Sequence, residues 1–399
     1  MGNDFISDVE NIEWDTVLEK MDVNAALDSF MKLFSAVCDK HAPIKKLTVR
    51  SLKAPWLDEE VRNGMRERDL LKKSAIMSGN VADWQAYRSL RNKITKLNRQ
   101  KKKYYYHSKF EECHGDSKKL WKVLNDAMGR NKMAKTPSFI EMNGGFITKP
   151  SDIANYFNNY FLSKVNTLRN EMRPVSGGMS KAIIENHIMC GSDCMFKFKM
   201  VSVDLVVKLL HTIKCDKPCG SDNVDGRLLQ LSAKSIAEPV CHIFNLCFKE
   251  CQYPDLWKIA KVTPLPKNSR EPFTGPNSRP ISILPVLSKL LEGIMFQQIQ
   301  KYLAENNINS DLQHAYKAGY STSTALTCLT DEWFKQIDVQ SVIGVVCLDF
   351  SAAFDLIDHE LLLMKLSAYG FRDSAYALLK GYFLNRQTMC DVQWLPLKC

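Results

Sequence analysis

The sequence predicts an α+β chain: a mostly helical first third, then strands mixed with helices. Three features carry that expectation. Two helix-periodic arms fill the stretch from Asp58 to Lys109. An Asn143-Gly144-Gly145 turn sits between the apolar pairs Phe139-Ile140 and Phe146-Ile147, which is a hairpin signal. Finally, Val342–Leu348 is an apolar, β-branched run, too short to cross a membrane, that reads as a buried strand.

In chain order, Ala25–Val37 is a first helix, with Asn24 favoured as its cap and Asp22 as the alternative. Pro43 breaks that pattern. A helical hairpin follows, Asp58–Met77 and Ala82–Lys109, turned by Ser78-Gly79-Asn80. Trp84, Tyr87, Leu90, Ile94 and Leu97 recur at three- and four-residue steps and give the second arm a packing face. After the 143–145 turn, Ser151 caps a helix carrying Ile153, Phe157, Tyr160 and Phe161. The stretch 173–192 mixes Pro, Gly and Ser with polar residues and reads as a linker. Ser202 starts an amphipathic helix to about Ile213. Val262–Leu265 reads as a short strand, a Pro/Gly loop then leads into Ile281–Leu284, and Pro285 opens a helix from Val286 to about Leu303. Asp358 caps a further helix that runs to Tyr369 and ends at Gly370. The expected division is 1–135, a helical basic region; 136–247, a hairpin and helices; and 248–399, a strand-containing domain.

Charge points to a phosphate-bearing partner. Net charge is +10 over 399 residues, a balance that suits nucleic acid or a membrane surface alike. Between Arg91 and Lys109 stand eight Lys or Arg residues and no acid, and Lys101, Lys102 and Lys103 run into Tyr104. One reading is an RNA-tracking helix, where cations meet phosphates and rings stack on bases. The other is a solvated helix face above packed tyrosines.

Asp349 ends the apolar run and precedes Ser351, Ala352, Ala353 and Phe354. A carboxylate at the exit of a rigid strand suits Mg²⁺, which binds through one or two carboxylates and substrate phosphates. A solvated Asp after a strand is the alternative. Thirteen scattered cysteines fit a reducing compartment better than a disulfide framework. Cys190, Cys194, Cys215 and Cys219, with His187 nearby, have spacing open to a structural zinc, although free thiols are favoured. No apolar run has the length of a membrane span and MGNDFISDVE is no signal peptide, so an intracellular chain in cytoplasm or nucleus, without a membrane partner, is expected.

Several stretches, in order and spacing, resemble the reverse transcriptases of jockey-like non-LTR retrotransposons. They are KPCGSDNVDGRLLQ, YPDLWKIAKVTPLPK, NSRPISILPVLSKLLEGIMFQQIQKYL, QHAYKAGYSTSTAL and LDFSAAFDLIDHELLLMKLSAYGF. The earlier stretch from APWLDEEVRNGMRERDLLKKS to GDSKKLWKVLNDAMG is similar to that family's segment between endonuclease and polymerase. The resemblance covers nearly the whole chain.

It implies the fingers and part of the palm of a right-hand polymerase within 248–399, with an RNA template, a DNA primer, deoxynucleotides and Mg²⁺ as partners. Asp349 matches the first metal-binding aspartate. Arg279 and, with a variable loop between them, Lys267 match the fingers cations that clamp a triphosphate. Phe354 matches the aromatic that excludes a 2′-hydroxyl, and Gln313, Tyr316, Lys317 and Gly319 match the template-contacting motif. There are departures: the family more often has Gly at Ala315, Phe at Tyr316, Arg at Lys317 and Lys at Ala352. Lys at 317 keeps the charge and loses bidentate geometry.

The family's aromatic-x-Asp-Asp turn has no counterpart, since the sequence holds no Asp-Asp dipeptide. The resemblance therefore implies a chain cut within the palm and lacking the endonuclease, with one carboxylate where two-ion catalysis needs more. Two functions follow as expectations. The first is an RNA-directed DNA polymerase by descent, inactive in this form. The second is a non-catalytic, basic RNA-binding remnant of a mobile element.

Overall fold

Side-chain acceptors such as Asp22, Asp58 and Ser202 cap many of the helices, and others begin without one. The computed structural model describes residues 2–44, 54–129, 140–142, 145–171, 195–268 and 271–390. Two compact units divide the chain: residues 45–135, and residues 1–44 together with 136–399. The first 44 residues, expected with the helical arm, are thus grouped with the later residues.

The smaller unit is a helical hairpin with one added helix. Asp58 accepts from the Val61 amide and starts α4 (Glu59–Ser78). Gly79 closes α4 with a left-handed φ of 62°, a conformation that costs glycine nothing. Asn80 then caps α5 (Val81–Glu111) through the Ala82 amide. Of the predicted packing face only Ile94 is fully buried, and it rests on Gly64, where any Cβ would overlap its Cδ1. Asp116 caps α6 (Ser117–Ala127).

The larger unit opens with α1 (Gly2–Glu10), α2 (Asp15–Leu18) and α3 (Val23–His41). Asp22, not Asn24, caps α3, accepting from the Ala25 amide at 2.8 Å. Asn24 is occupied elsewhere: its Oδ1 accepts from the Asp255 amide at 2.9 Å. Strands β1 (Ile140–Met142) and β2 (Gly145–Ile147) pair antiparallel around the predicted turn, whose Asn143 and Gly144 lie outside the described residues. The next helix, α7 (Pro150–Glu171), starts one residue before the predicted Ser151 cap, because proline at the first helical position presets φ and its missing N–H is no loss there. Instead Ser151 Oγ donates to Asp152. The predicted linker 173–192 lies outside the described residues.

Ser202 caps α8 (Val203–His211) as predicted, and Asp225 caps α9 (Gly226–Leu231). Next, α10 (Ala233–Lys249) is the core helix, burying Ile236, Val240, Ile243, Phe244 and Cys247 against α1, α3 and α8. A 3₁₀ turn (Asp255–Lys258) places Trp257 against Phe244 and leads into β3 (Ile259–Pro266). Antiparallel to it runs β4 (Ser278–Ile283), and α11 (Val286–Glu305) follows Pro285. Beyond these lie α12 (Thr322–Asp338), α13 (His359–Ala368), capped by Asp358, and α14 (Asp373–Phe383). Strand β5 (Gln387–Cys390) joins β3 in parallel and completes a three-stranded sheet in the order β4-β3-β5.

One prediction fails outright. Val342–Leu348 is neither a strand nor buried: Val342 is 99%, Val346 84% and Leu348 78% exposed. The residues have the right composition, but a strand exists only through its ladder, and no described segment pairs with this one.

Candidate functional site

The β3–β4 hairpin positions the two predicted cations. In its register Arg279 stands across from Leu265, and the ladder extends one step further through Lys267 N–H donating to Asn277 O at 2.8 Å. By strand alternation Lys267 and Arg279 therefore share one face. The Arg279 side chain is exposed and has no hydrogen bond or ion pair among the described residues. Lys267 Nζ donates to the Pro276 carbonyl at 2.6 Å, within its own loop.

That loop is held by residues outside every predicted site. The Asn277 side chain is buried, donates to the carbonyls of Asn268 and Pro272 at 2.9 and 3.0 Å, and accepts from the Asn268 amide. From α7, Tyr156 Oη accepts the Gly275 amide at 3.1 Å. Beside it the Tyr160 ring lies so close that a Cβ on Gly275 would sit 2.5 Å from its Cγ. The only sequence signal for this arrangement was an Asn in a Pro-rich loop.

The template motif and the palm motif meet. Tyr316 adopts a left-handed φ of 58° and sets its ring edge-on to Phe354, with centroids 5.7 Å apart. Gln313 Nε2 donates to Ala315 O at 3.1 Å and so ties the same turn. Lys317 lies 4.2 Å over the Tyr320 ring and 3.9 Å from Asp311. Gly319 follows with φ at 79°. By contrast, no hydrogen bond, ion pair or ring contact among the described residues joins Lys267 or Arg279 to Asp349 or Phe354.

Asp349 stands exposed in the unpaired 342–350 segment. Among the described residues no group of three or more His, Cys, Asp or Glu is arranged to hold a metal ion. A single exposed carboxylate does not fit a two-ion site, which must fix both ions about 3.5–4 Å apart. The zinc reading loses half its ligands from view, because Cys190, Cys194 and His187 lie outside the described residues. Cys215 Sγ donates to Gln230 Oε1 at 2.9 Å, and burial raises the pKa of the Cys219 thiol.

In the helical unit, Lys101 is already engaged by Asp58 and Glu60 at 2.6 and 3.0 Å. Lys102 lies over the Trp56 ring at 5.1 Å. Lys103 and Tyr104 are exposed and have no side-chain partner among the described residues.

Residues 265–396 match the family model described as reverse transcriptase (RNA-dependent DNA polymerase). Over 377 residues the chain is 22% identical to the RNA-directed DNA polymerase from mobile element jockey of Drosophila funebris, covering 92% of this chain and 39% of that protein. It is also 27% identical over 195 residues to the probable RNA-directed DNA polymerase from transposon BS of Drosophila melanogaster, 49% of this chain and 21% of that one. The chain is similar to the jockey-like non-LTR reverse transcriptases. It is 29% identical over 188 residues to the retrovirus-related Pol polyprotein of a type-1 R1 element of Bradysia coprophila, 47% of this chain and 18% of that protein. It thus spans about a fifth to two fifths of the length of these curated relatives. Lys267, Arg279, Gln313, Tyr316, Lys317, Gly319, Asp349 and Phe354 fall inside the matched reverse transcriptase region, and Lys101–Tyr104 fall before it.

A second feature that the motifs did not reveal is a polar knot around Glu292. Its Oε1 accepts from Tyr382 at 3.0 Å and Tyr253 at 3.4 Å, with Arg386 at 3.7 Å. Arg386 stacks 4.0 Å from the Tyr382 ring centroid and ties the end of α14 to α11. Among the described residues no helix is long and apolar enough to cross a membrane.

Proposed function

We propose that this chain is the fingers and part of the palm of an RNA-directed DNA polymerase, the enzyme that extends a DNA primer on an RNA template with deoxynucleotides. The observation that carries the reading is the meeting of two motifs far apart in sequence, Tyr316 of the template motif and Phe354 of the palm, inside the matched region. Gln313, Tyr316, Lys317 and Gly319 take the template side. Phe354 takes the sugar, its bulk excluding a 2′-hydroxyl. Arg279, with its planar fork, and Lys267 take the triphosphate. Lys267 must first leave the Pro276 carbonyl, so Arg279 meets the incoming nucleotide first. Asp349 is the one family carboxylate available to Mg²⁺ in this sequence, and no step is assigned to the ion.

A polypeptide of these 399 residues alone is expected not to polymerise, because the sequence offers no aspartate pair beside Asp349. Primer extension with an RNA template and Mg²⁺ tests this, with Asp349→Ala as the control. Incorporation above that control would overturn the claim of inactivity. A second reading, a non-catalytic RNA-binding remnant, is favoured by the exposed cations of α5. It predicts RNA binding that weakens as salt rises, unchanged by Asp349→Ala.

A further inference from the structure

The packing of α5 fixes which of its sides is free. Ile94 is 6% exposed and sits against Gly64, so the opposite side of the helix faces solvent. At 3.6 residues per turn, Arg88, Lys96, Arg99 and Lys103 gather on that opposite side, over a length of roughly 22 Å. All four are exposed, and none has a hydrogen bond, ion pair or ring contact among the described residues. Lys101 points elsewhere, toward Asp58 and Glu60. Other acids of the unit are engaged too: Asp69 with Arg68, Glu112 with Lys109 and Asp116 with Lys119. The positive charge of the ridge is left unneutralised.

We propose that this ridge binds double-stranded nucleic acid by its phosphate backbone, without regard to base sequence. The proposal rests on the nucleic-acid reading above; of the Lys101–Tyr104 run it keeps Lys103 and moves the rest of the contact to Arg88, Lys96 and Arg99. Its chemistry favours a duplex. Single strands are held by grooves lined with aromatic rings on which bases stack. The ridge is convex and straight, and no ring stands among its four cations; Tyr104 projects from a different side of the helix. A rigid duplex presents a regular phosphate array to such a rod, and four cations release counterions along it. An anionic membrane fits less well, since a surface-bound helix needs an exposed apolar face and α5 packs its own on α4.

The test uses the full chain and fluorescence anisotropy across a salt series. The probes are a short RNA duplex, the matching RNA–DNA hybrid, the single strand alone and anionic lipid vesicles. The variant combines Arg88→Gln, Lys96→Gln, Arg99→Gln and Lys103→Gln. Its control removes four exposed cations elsewhere, through Lys118→Gln, Lys122→Gln, Lys208→Gln and Lys234→Gln. Circular dichroism verifies that both keep their helix content. The ridge variant should lose about tenfold or more in duplex affinity, and its slope of log affinity against log salt should be shallower by about 3 to 4. The control should stay near wild type. A matching loss on both duplexes supports backbone recognition shared between them, whereas a loss confined to one duplex overturns it. Loss confined to the single strand or to vesicles, or an equal loss in the control, overturns the ridge while leaving nucleic-acid binding intact. A wild-type chain that binds no nucleic acid at all overturns both.

Discussion

Asp222 lies in the loop between α8 and α9, and burial there raises its carboxyl pKa to about 6, against the pull of the Val224 amide and Lys289. Its ordinary value is 3.8, so between these two values the folded chain holds a proton that the unfolded chain has already released. Stability therefore falls as pH rises through that window, because ionising the buried group opposes folding. Asp222→Asn keeps the acceptor for Val224 and removes the charge. Above pH 6 it should stabilise the chain by at most about 3 kcal/mol, and below pH 4 it should change little. Urea midpoints at the two pH values decide it; an equal shift at both would mean the charge is not the cause. At this scale Arg279, Tyr316 and Phe354 were named from the family resemblance of their motifs, and the structure brings Tyr316 and Phe354 into ring contact. The engagement of Lys101 was not legible, because its partners Asp58 and Glu60 lie more than forty residues away and nothing local marks them. Tyr156 and Tyr160 were equally hidden, as rings on an amphipathic helix look alike whether they fill a core or hold a loop.

Among the elements, those with a strong local signal formed where expected. Asp58, Asn80, Ser202 and Asp358 each cap the helix that begins after them. Val342–Leu348 shows the reverse case. Composition marks a run as fit for a sheet, while the ladder that makes it a strand comes from elsewhere in the fold. In the helical hairpin the decisive contact is Gly64 with Ile94. Gly64→Ala should destabilise the smaller unit by about 1–3 kcal/mol through overpacking. Combining it with Ile94→Ala, which vacates the space, should give less than the sum of the single effects. Thermal melts of the two single variants and the double one measure this, and strict additivity would refute the contact as the source of the loss.

For the whole molecule, the exposed run from Val342 to Phe350 is the largest hazard. Its apolar side chains and unpaired backbone invite pairing with another chain. Val342→Lys combined with Val346→Lys should lower light scattering in concentrated solution and leave circular dichroism unchanged; unaltered scattering would clear the segment. Placement of the first 44 residues was invisible in the sequence, because the amphipathic face of α3 does not say which distant surface it meets. Its Phe30 and Phe34 join the core around α10, and Asn24 reaches Asp255, 231 residues further on. That arrangement sets an order of events in time. During synthesis at about 5–20 residues per second, α3 waits roughly 10–50 s for the residues that cover it. For that interval α3 is an apolar surface without a home, and whatever shields the nascent chain governs how much of it reaches the folded state.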